Sequence, residues 1–314
     1  MTLGSTARGL FWMFRYLERS ENTARLAEAG LRIALTRAAS ARDEWASVLT
    51  TAGVYDRYQA TYGEVDPAHA MDFLLRDERN PSSVLSVLAA ARTDARAVRT
   101  ALTREVWEAT NTAWMAVADA LSHPVSTRDL PRVLGLVRQE SAFVRGALHG
   151  TMMRNDVYDF ARLGTFIERA DNTARILDVK YYVLLPSAMP VGSQLDNVQW
   201  ETILRSVSAQ SAYRWQNPGQ LKPAGIAEFL ILDRRMPRSL SFCFMKIMDN
   251  LGYLATDYGV DHDCHRQAAE LYDTVADRSI SSIFDAGLHE FLSQRITDTS
   301  RLATQIETDY RFYA

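Results

Sequence analysis

The chain has 314 residues, of which 47% are hydrophobic and 23% are charged, and its formal net charge is −3. This composition is ordinary for a globular protein and lacks the basic excess of many nucleic-acid-binding proteins. No run approaches the ~20 apolar residues of a membrane span, and the two cysteines fit a reducing compartment. We therefore expect a cytoplasmic protein with no nucleic-acid or membrane partner.

Helical patterns follow one another along the chain, and no stretch shows the period-2 alternation of a strand. The predicted helices cover about residues 5–40, 43–61, 68–76, 82–121, 129–150, 155–184, 196–216, 222–232, 238–258, 264–281 and 284–312. No linker longer than about 8 residues separates them. The sequence therefore predicts one all-α, multi-helix bundle-like domain that spans residues 1–314.

An eight-residue segment occurs twice, on the first and the sixth of these helices. The segment from Glu18 to Arg25 reads Glu-Arg-Ser-Glu-Asn-Thr-Ala-Arg, and the segment from Glu168 to Arg175 reads Glu-Arg-Ala-Asp-Asn-Thr-Ala-Arg. The two segments are 150 residues apart. An internal repeat implies a repeated structural unit, so the helices at about 5–40 and 155–184 are predicted to form a pseudo-symmetric pair.

Each copy of the repeat presents one polar stripe along its helix. With about 100° per residue and Glu18 set at zero, Asn22 lies near +40°, Arg25 near −20° and Glu21 near −60°. The second copy repeats the stripe with Glu168, Asp171, Asn172 and Arg175. Aromatic residues border both copies, which indicates that the stripes are at least partly buried.

Three interpretations of the stripes remain open from these residues. The first is a buried network that fixes the packing of the two helices, in which asparagine supplies the hydrogen bonds that a buried Glu–Arg pair needs. The second is a polar ligand site between the helices. The third is a solvated face, as charge on a helix usually is.

A second group of arginines lies on the predicted helix at about 82–121. Arg92, Arg96 and Arg99 follow i, i+4, i+7 spacing and would share one face. They form either an exposed basic stripe or a cluster that faces an anion or the acids of the repeat.

The sequence predicts no metal site and no cofactor in this chain. It has no Glu-x-x-His pair of the di-iron type and no phosphate-cradling glycine-rich loop. The densest group of potential ligands, Asp261 to His265, is explained more simply by helix capping. No catalytic residue can be named from the sequence.

The motifs together closely resemble the bacterial Alpha-E family, a helical domain named for its Glu/Arg motif. The resemblance covers nearly the whole chain. Besides the first copy of the repeat, it includes Ala-Arg-x-x-Ala-Arg-x-x-Arg at residues 91–99, followed by Trp107 and Asn111, and Gly150-Thr151-Met152 leading into the segment from Gly164 to Arg175.

This resemblance implies a setting in ATP-dependent amide-bond formation on a small peptide or amino acid. The implied partners are a circularly permuted ATP-grasp ligase, which would carry ATP and Mg, and in some cases a transglutaminase-like protein. This chain would be the stand-alone helical component. The candidate ligand-binding residues are Glu18, Arg19, Glu21, Asn22, Arg25, Glu168, Arg169, Asp171, Asn172, Arg175, Arg92, Arg96 and Arg99.

Three functions follow as hypotheses. In the first, the stripes and the Arg92 helix hold a zwitterionic ligand, because arginine forks onto a carboxylate and glutamate accepts an amine. In the second, the protein is structural and docks to the ligase, and its stripes are buried ion-pair networks. In the third, it is an enzyme whose stripe carboxylates are acid/base groups with pKa values raised by burial.

Overall fold

The computed structural model describes residues 2–36, 41–183, 194–219 and 221–313. Within these ranges the fold is all-α, as predicted, with one short 3-10 turn at Arg99–Ala101 and no strand. The helices are α1 (Gly4–Thr36), α2 (Ala41–Thr51), α3 (Tyr55–Tyr62), α4 (Pro67–Leu75), α5 (Val84–Ala97), α6 (Arg104–Ala120), α7 (Leu130–Thr151), α8 (Asp156–Val183), α9 (Gln194–Ser206), α10 (Gln210–Gln216), α11 (Pro223–Leu232), α12 (Leu240–Tyr258), α13 (Asp263–Ala276), α14 (Ile280–Asp285) and α15 (Leu288–Asp309).

The predicted single helix at 82–121 is wrong. The α-helix ends at Ala97 and resumes at Arg104. The side chain of Thr103 caps the new helix by accepting a hydrogen bond from the amide of Val106 at 3.4 Å. A threonine cap satisfies a backbone donor that would otherwise lack a partner at a helix start, which stabilises a break at a place without glycine or proline.

Three further predicted helices are each divided in two. The regions at 43–61, 196–216 and 284–312 are interrupted around Gly53, Ser208 and Gly287, which have φ angles of 69°, 54° and 95°. A positive φ does not fit a right-handed helix, so the chain changes direction at each of these residues. The predicted helix at 264–281 likewise ends at Ala276, and α14 begins at Ile280. The predicted helix end near Leu185-Pro186 and the loop after it lie outside the described residues.

Helices α1 and α8, which carry the two repeats, form the centre of the fold. They pack against each other more extensively than any other pair in the described ranges. Thr2, just before α1, contacts Asp156 at the start of α8, and Arg15 contacts Glu168 further along both helices. The two helices are therefore parallel, and an approximate two-fold axis between them relates the two copies of the repeat.

The backbones of α1 and α8 are in contact at Gly164. A Cβ atom at this residue would lie 2.1 Å from the carbonyl oxygen of Phe11. Only glycine allows an approach this close, since any side chain would push the helices apart. This contact brings the polar stripes, one turn further along, within hydrogen-bonding reach of each other.

The other helices enclose this pair. Helices α5, α7, α2 and α9 pack on α1, and helices α12, α15 and α2 pack on α8. At the end where both helices begin, aromatic rings fill the space between them, with Phe11 and Phe160 each in edge contact with Phe312. No helix in the described part of the chain has the length and apolar character needed to cross a membrane.

Candidate ligand site on the paired Glu-Arg helices

The glutamate of each Glu-Arg dipeptide forms an ion pair with the arginine of the other, across the pseudo-two-fold axis. The Nε and Nη2 atoms of Arg169 each donate to a carboxylate oxygen of Glu18 at 2.9 Å. Arg19 donates in the same way to Glu168, with Nε at 2.5 Å and Nη2 at 2.9 Å. Each contact is the symmetry image of the other, as in an isologous interface. The stripes therefore face each other and do not form separate surfaces.

The first copy is closed by two further arginines from other parts of the chain. Arg238, just before α12, donates to Glu18 at 2.8 Å, to Glu21 at 3.0 Å and to the side-chain oxygen of Asn22 at 2.9 Å. Arg145 of α7 donates to the second oxygen of Glu21. Glu18, Glu21, Asn22 and Arg238 are buried and the side chain of Arg145 is 20% exposed, so the first copy is a largely buried hydrogen-bonded network.

The second copy is less enclosed. Arg15 adds one hydrogen bond to Glu168 at 3.0 Å, and Asp171 pairs with Arg175 of its own helix at 2.7 Å. The equivalent intrahelical pair in the first copy joins Arg25 to Glu21 at 2.6 Å. The side chains of Asp171 and Arg175 are 23% and 35% exposed, whereas that of Glu21 is fully buried.

The guanidinium groups decide the protonation state of the buried carboxyls. Burial alone would raise the pKa of Glu168, but the charges of Arg19 and Arg15 and their hydrogen bonds lower it to about 2. Burial would also raise the pKa of Glu18, but the neighbouring arginines, chiefly Arg169, lower it below its usual value. The pKa of Glu21 is lowered too, although burial and the charge of Glu18 oppose this. The expectation of raised pKa values at these three residues is wrong, because arginine charge outweighs desolvation.

A polar cavity of about 220 Å³ opens beside the second copy. We call it the Asn cavity. Its lining residues are Arg19, Asn22, Thr23, Leu26, Thr51, Ala52, Gly53, Ser82, Glu168, Asp171, Asn172 and Arg175. It therefore collects residues from both copies of the repeat and from the turn between α2 and α3, where the guanidinium of Arg175 lies against Gly53.

Both repeat asparagines line this cavity. The side-chain oxygen of Asn22 accepts from Arg238, but its Nδ2 is buried and has no hydrogen-bond partner in the described part of the chain. Asn172 is also largely buried. Buried polar groups almost always have a partner, so this amide next to a cavity is available to hydrogen-bond a ligand or a water molecule.

The three mid-chain arginines lie away from the stripes. Arg92 donates to the side-chain oxygen of Asn111 at 2.7 Å and stacks on Trp114. Arg99 stacks on Trp107. These partners belong to α6, and neither arginine is among the residues that line the Asn cavity. The expected shared face is found only in part, because Arg92 and Arg99 both contact α6 whereas Arg96 is exposed on α5.

Sequence reasoning did not assign Arg15, Arg145 and Arg238 to the site. Arg145 could have been noticed, because it follows Ser141 by four residues and precedes Leu148 by three on α7, and both of these neighbours are buried. Arg238 has no local signal, because its partners lie 216–220 residues earlier in the chain.

The remaining polar cluster of the sequence has a structural role. His262 and His265 form a reciprocal cap at the start of α13, where the amide of His262 donates to Nδ1 of His265 at 2.9 Å. Across the described ranges, no group of three or more His, Cys, Asp or Glu side chains is arranged to hold a metal ion.

Comparison with known proteins gives one match. Neither the curated proteins nor the solved structures include a match to this chain. A family model described as "a predicted alpha-helical domain with a conserved ER motif" matches residues 3–310. The Glu-Arg dipeptides at residues 18–19 and 168–169 are the two halves of the reciprocal exchange described above. On this match over nearly its whole length, the chain belongs to the Alpha-E family.

Proposed function

We propose that the Asn cavity binds the charged end of an amino acid or a small peptide, and that the protein serves as the ligand-holding component of an amide-bond-forming pathway. In this proposal the catalyst is a separate ATP-grasp ligase in the cytoplasm, which supplies ATP and Mg. A transglutaminase-like protein would act in the same pathway.

The observation that carries the proposal is the set of groups that meet at the cavity. Arg19 and Arg175 provide guanidinium donors, Asp171 provides a carboxylate, and Asn22 and Asn172 provide amides. A zwitterion needs this combination, since its carboxylate pairs with a guanidinium fork and its ammonium group with a carboxylate. A ligand carbonyl or carboxylate oxygen would also accept the unpaired Nδ2 hydrogen of Asn22.

The ammonium group of the ligand is assigned to Asp171 and not to Glu168. Both oxygens of Glu168 already accept hydrogen bonds from Arg15 and Arg19. Asp171 is paired with Arg175 on the same helix, and both side chains are partly exposed to the cavity. Partly exposed pairs of this kind are weak, so a ligand can replace either partner at a small cost in free energy.

Equilibrium dialysis with a panel of free amino acids and dipeptides tests the proposal. Saturable binding is expected for the wild-type protein, and Asn172→Leu with Arg175→Met should weaken it by about tenfold or more, because charge-assisted hydrogen bonds are lost. Arg104→Gln is the matched control, since this arginine is 82% exposed on α6 and does not line the cavity. Absence of saturable binding, both alone and with an ATP-grasp ligase of the proposed kind, would contradict the proposal.

A structural role is the second candidate, and the closed first copy favours it. Glu18, Glu21 and Arg238 are buried and connect α1 to α12, in addition to the link with α8. If this is the whole function, the protein acts by docking to the ligase. Co-purification would then show a complex whose formation is unchanged by Asn172→Leu and Arg175→Met.

A further inference from the structure

A second cavity lies further along α1, where it meets the repeat only at Arg25 and shares no lining residue with the proposed amino-acid site. It has a volume of about 310 Å³, and we call it the Arg32 pocket. Its lining residues are Arg25, Glu28, Ala29, Arg32, Arg138, Thr202, Arg205, Ser206, Ser208, Gln210 and Ser211. The volume is within the range of about 300–1,000 Å³ that is usual for small-molecule sites.

The Arg32 pocket has an excess of positive charge and of hydrogen-bond donors. Two of its arginines pair with acids just outside the lining, Arg25 with Glu21 at 2.6 Å and Arg205 with Glu201 at 2.8 Å. Among the described residues that line the pocket, four are arginines and one, Glu28, carries a carboxylate. That carboxylate pairs with Arg138 at 2.8 Å, and Arg32 is 4.0 Å from it, beyond hydrogen-bonding distance. Three serines and a threonine add hydroxyl groups. An anion is therefore the ligand that this lining favours.

The guanidinium groups approach the pocket from three different helices. Arg25 and Arg32 come from α1, Arg138 from α7 and Arg205 from α9. A planar carboxylate is satisfied by one guanidinium fork, whereas the tetrahedral oxygens of a phosphate point in several directions and accept from several donors. The arrangement therefore fits phosphate better than carboxylate.

Two local features support a binding role for this pocket. The Nε atom of Arg138 is buried and has no hydrogen-bond partner among the described residues. Ser208 adopts a left-handed φ of 54° and accepts a hydrogen bond from Arg25 at 2.5 Å. A left-handed conformation is uncommon for serine; it occurs at helix ends such as this one and is also enriched at ligand sites. Both features lie in the lining of the pocket.

We propose that the Arg32 pocket binds the phosphate group of a small phosphorylated molecule. The pocket is larger than one phosphate requires, so the rest of the ligand occupies the space between α1 and the α9–α10 turn. This site is distinct from the Asn cavity, with which it has no lining residue in common. It does not depend on the function proposed above.

Isothermal titration calorimetry with inorganic phosphate and pyrophosphate, at constant ionic strength, tests the inference. Pyrophosphate is expected to bind with one-to-one stoichiometry and more tightly than phosphate. Arg32→Gln should weaken pyrophosphate binding by about tenfold, as expected for loss of a charge-assisted donor. The side chain of Arg32 is 52% exposed, so this variant should fold normally.

Three controls make the outcome decisive. Arg104→Gln removes the same charge from a remote exposed position and should change the affinity for pyrophosphate less than about twofold. Ser208→Gly keeps the left-handed backbone and removes the hydroxyl group, so it should weaken binding without lowering the melting temperature. Tricarballylate provides a carboxylate ligand of comparable charge.

The inference is wrong if pyrophosphate does not bind saturably, or if Arg104→Gln weakens binding as much as Arg32→Gln does. Tighter binding of tricarballylate than of pyrophosphate would overturn the assignment to phosphate. Amino-acid binding at the Asn cavity should be unaffected by Arg32→Gln, which separates this test from that of the proposed function.

Discussion

Glu18 and Glu168 occupy equivalent positions in the two copies of the repeat but have different surroundings. Arg238 and Arg145, from outside the repeat, enclose the first copy, whereas Asp171 and Arg175 of the second copy are partly exposed at the Asn cavity. The two copies therefore differ in how fully they are enclosed, and the proposed ligand would bind at the more exposed edge of the second copy.

The largest effect is expected from Glu18→Gln. This change leaves Arg169 and Arg238 buried without their main counter-charge, and breaking a buried ion pair costs about 3–5 kcal/mol. Urea denaturation should show the loss as a lower midpoint with an unchanged slope. Glu64→Gln, in an exposed pair with Arg42, is the control and should change the free energy of unfolding by less than about 1 kcal/mol.

Arg238→Met should have the next largest effect. Glu18 and Glu21 keep Arg169 and Arg145 as partners, so the expected loss is about 2–3 kcal/mol, the value of hydrogen bonds to charged groups. The counterpart in the second copy is Arg15→Met. It should cost less, because Arg15 donates one hydrogen bond to Glu168, whereas Arg238 donates three to the first copy. Equal losses in thermal unfolding would contradict the difference between the copies.

Glu168→Gln should destabilise the protein at neutral pH by about 1–3 kcal/mol. The effect is smaller than that of Glu18→Gln because the freed Arg19 is 26% exposed and can be hydrated. The pKa of Glu168 in the folded protein is lowered to about 2. Its contribution is therefore fully present above the unfolded-state pKa of about 4.3 and is lost as the pH falls toward 2.

The difference in unfolding free energy between wild type and Glu168→Gln should accordingly shrink from pH 5 to pH 2. Denaturant unfolding at several pH values measures it. A difference that stays constant over this interval would show that the carboxylate is not held ionised by its arginines.

The smallest effect on stability is expected from Arg175→Met. Its partner Asp171 is four residues earlier on the same helix and partly exposed, and such pairs contribute about 0.3–0.5 kcal/mol. The melting temperature should hardly change, whereas amino-acid binding at the Asn cavity should decrease. A large loss of stability would instead indicate that the second copy, like the first, has a structural role.

The sequence was sufficient to predict the helical fold, the repeat and the two stripes, because these depend on local spacing. The reciprocal ion pairs of Glu18 with Arg169 and of Glu168 with Arg19 were not predictable. Periodicity indicates which side chains share a helix face but not which faces pack together. Arg238 could not be found for the same reason. Helix breaks at Ser208 and around Val98 were missed because tertiary packing stabilises them where local propensity does not.

Gly164 has a consequence for the mobility of the site. No side chain separates the backbones of α1 and α8 at Gly164. This close contact opposes sliding or rotation of one helix against the other. The positions of the charges around the Asn cavity are then set by rigid-body contact of two helices and not by flexible loops. Recognition should be closer to lock-and-key than to induced fit, with selectivity governed by the length between the charged groups of the ligand.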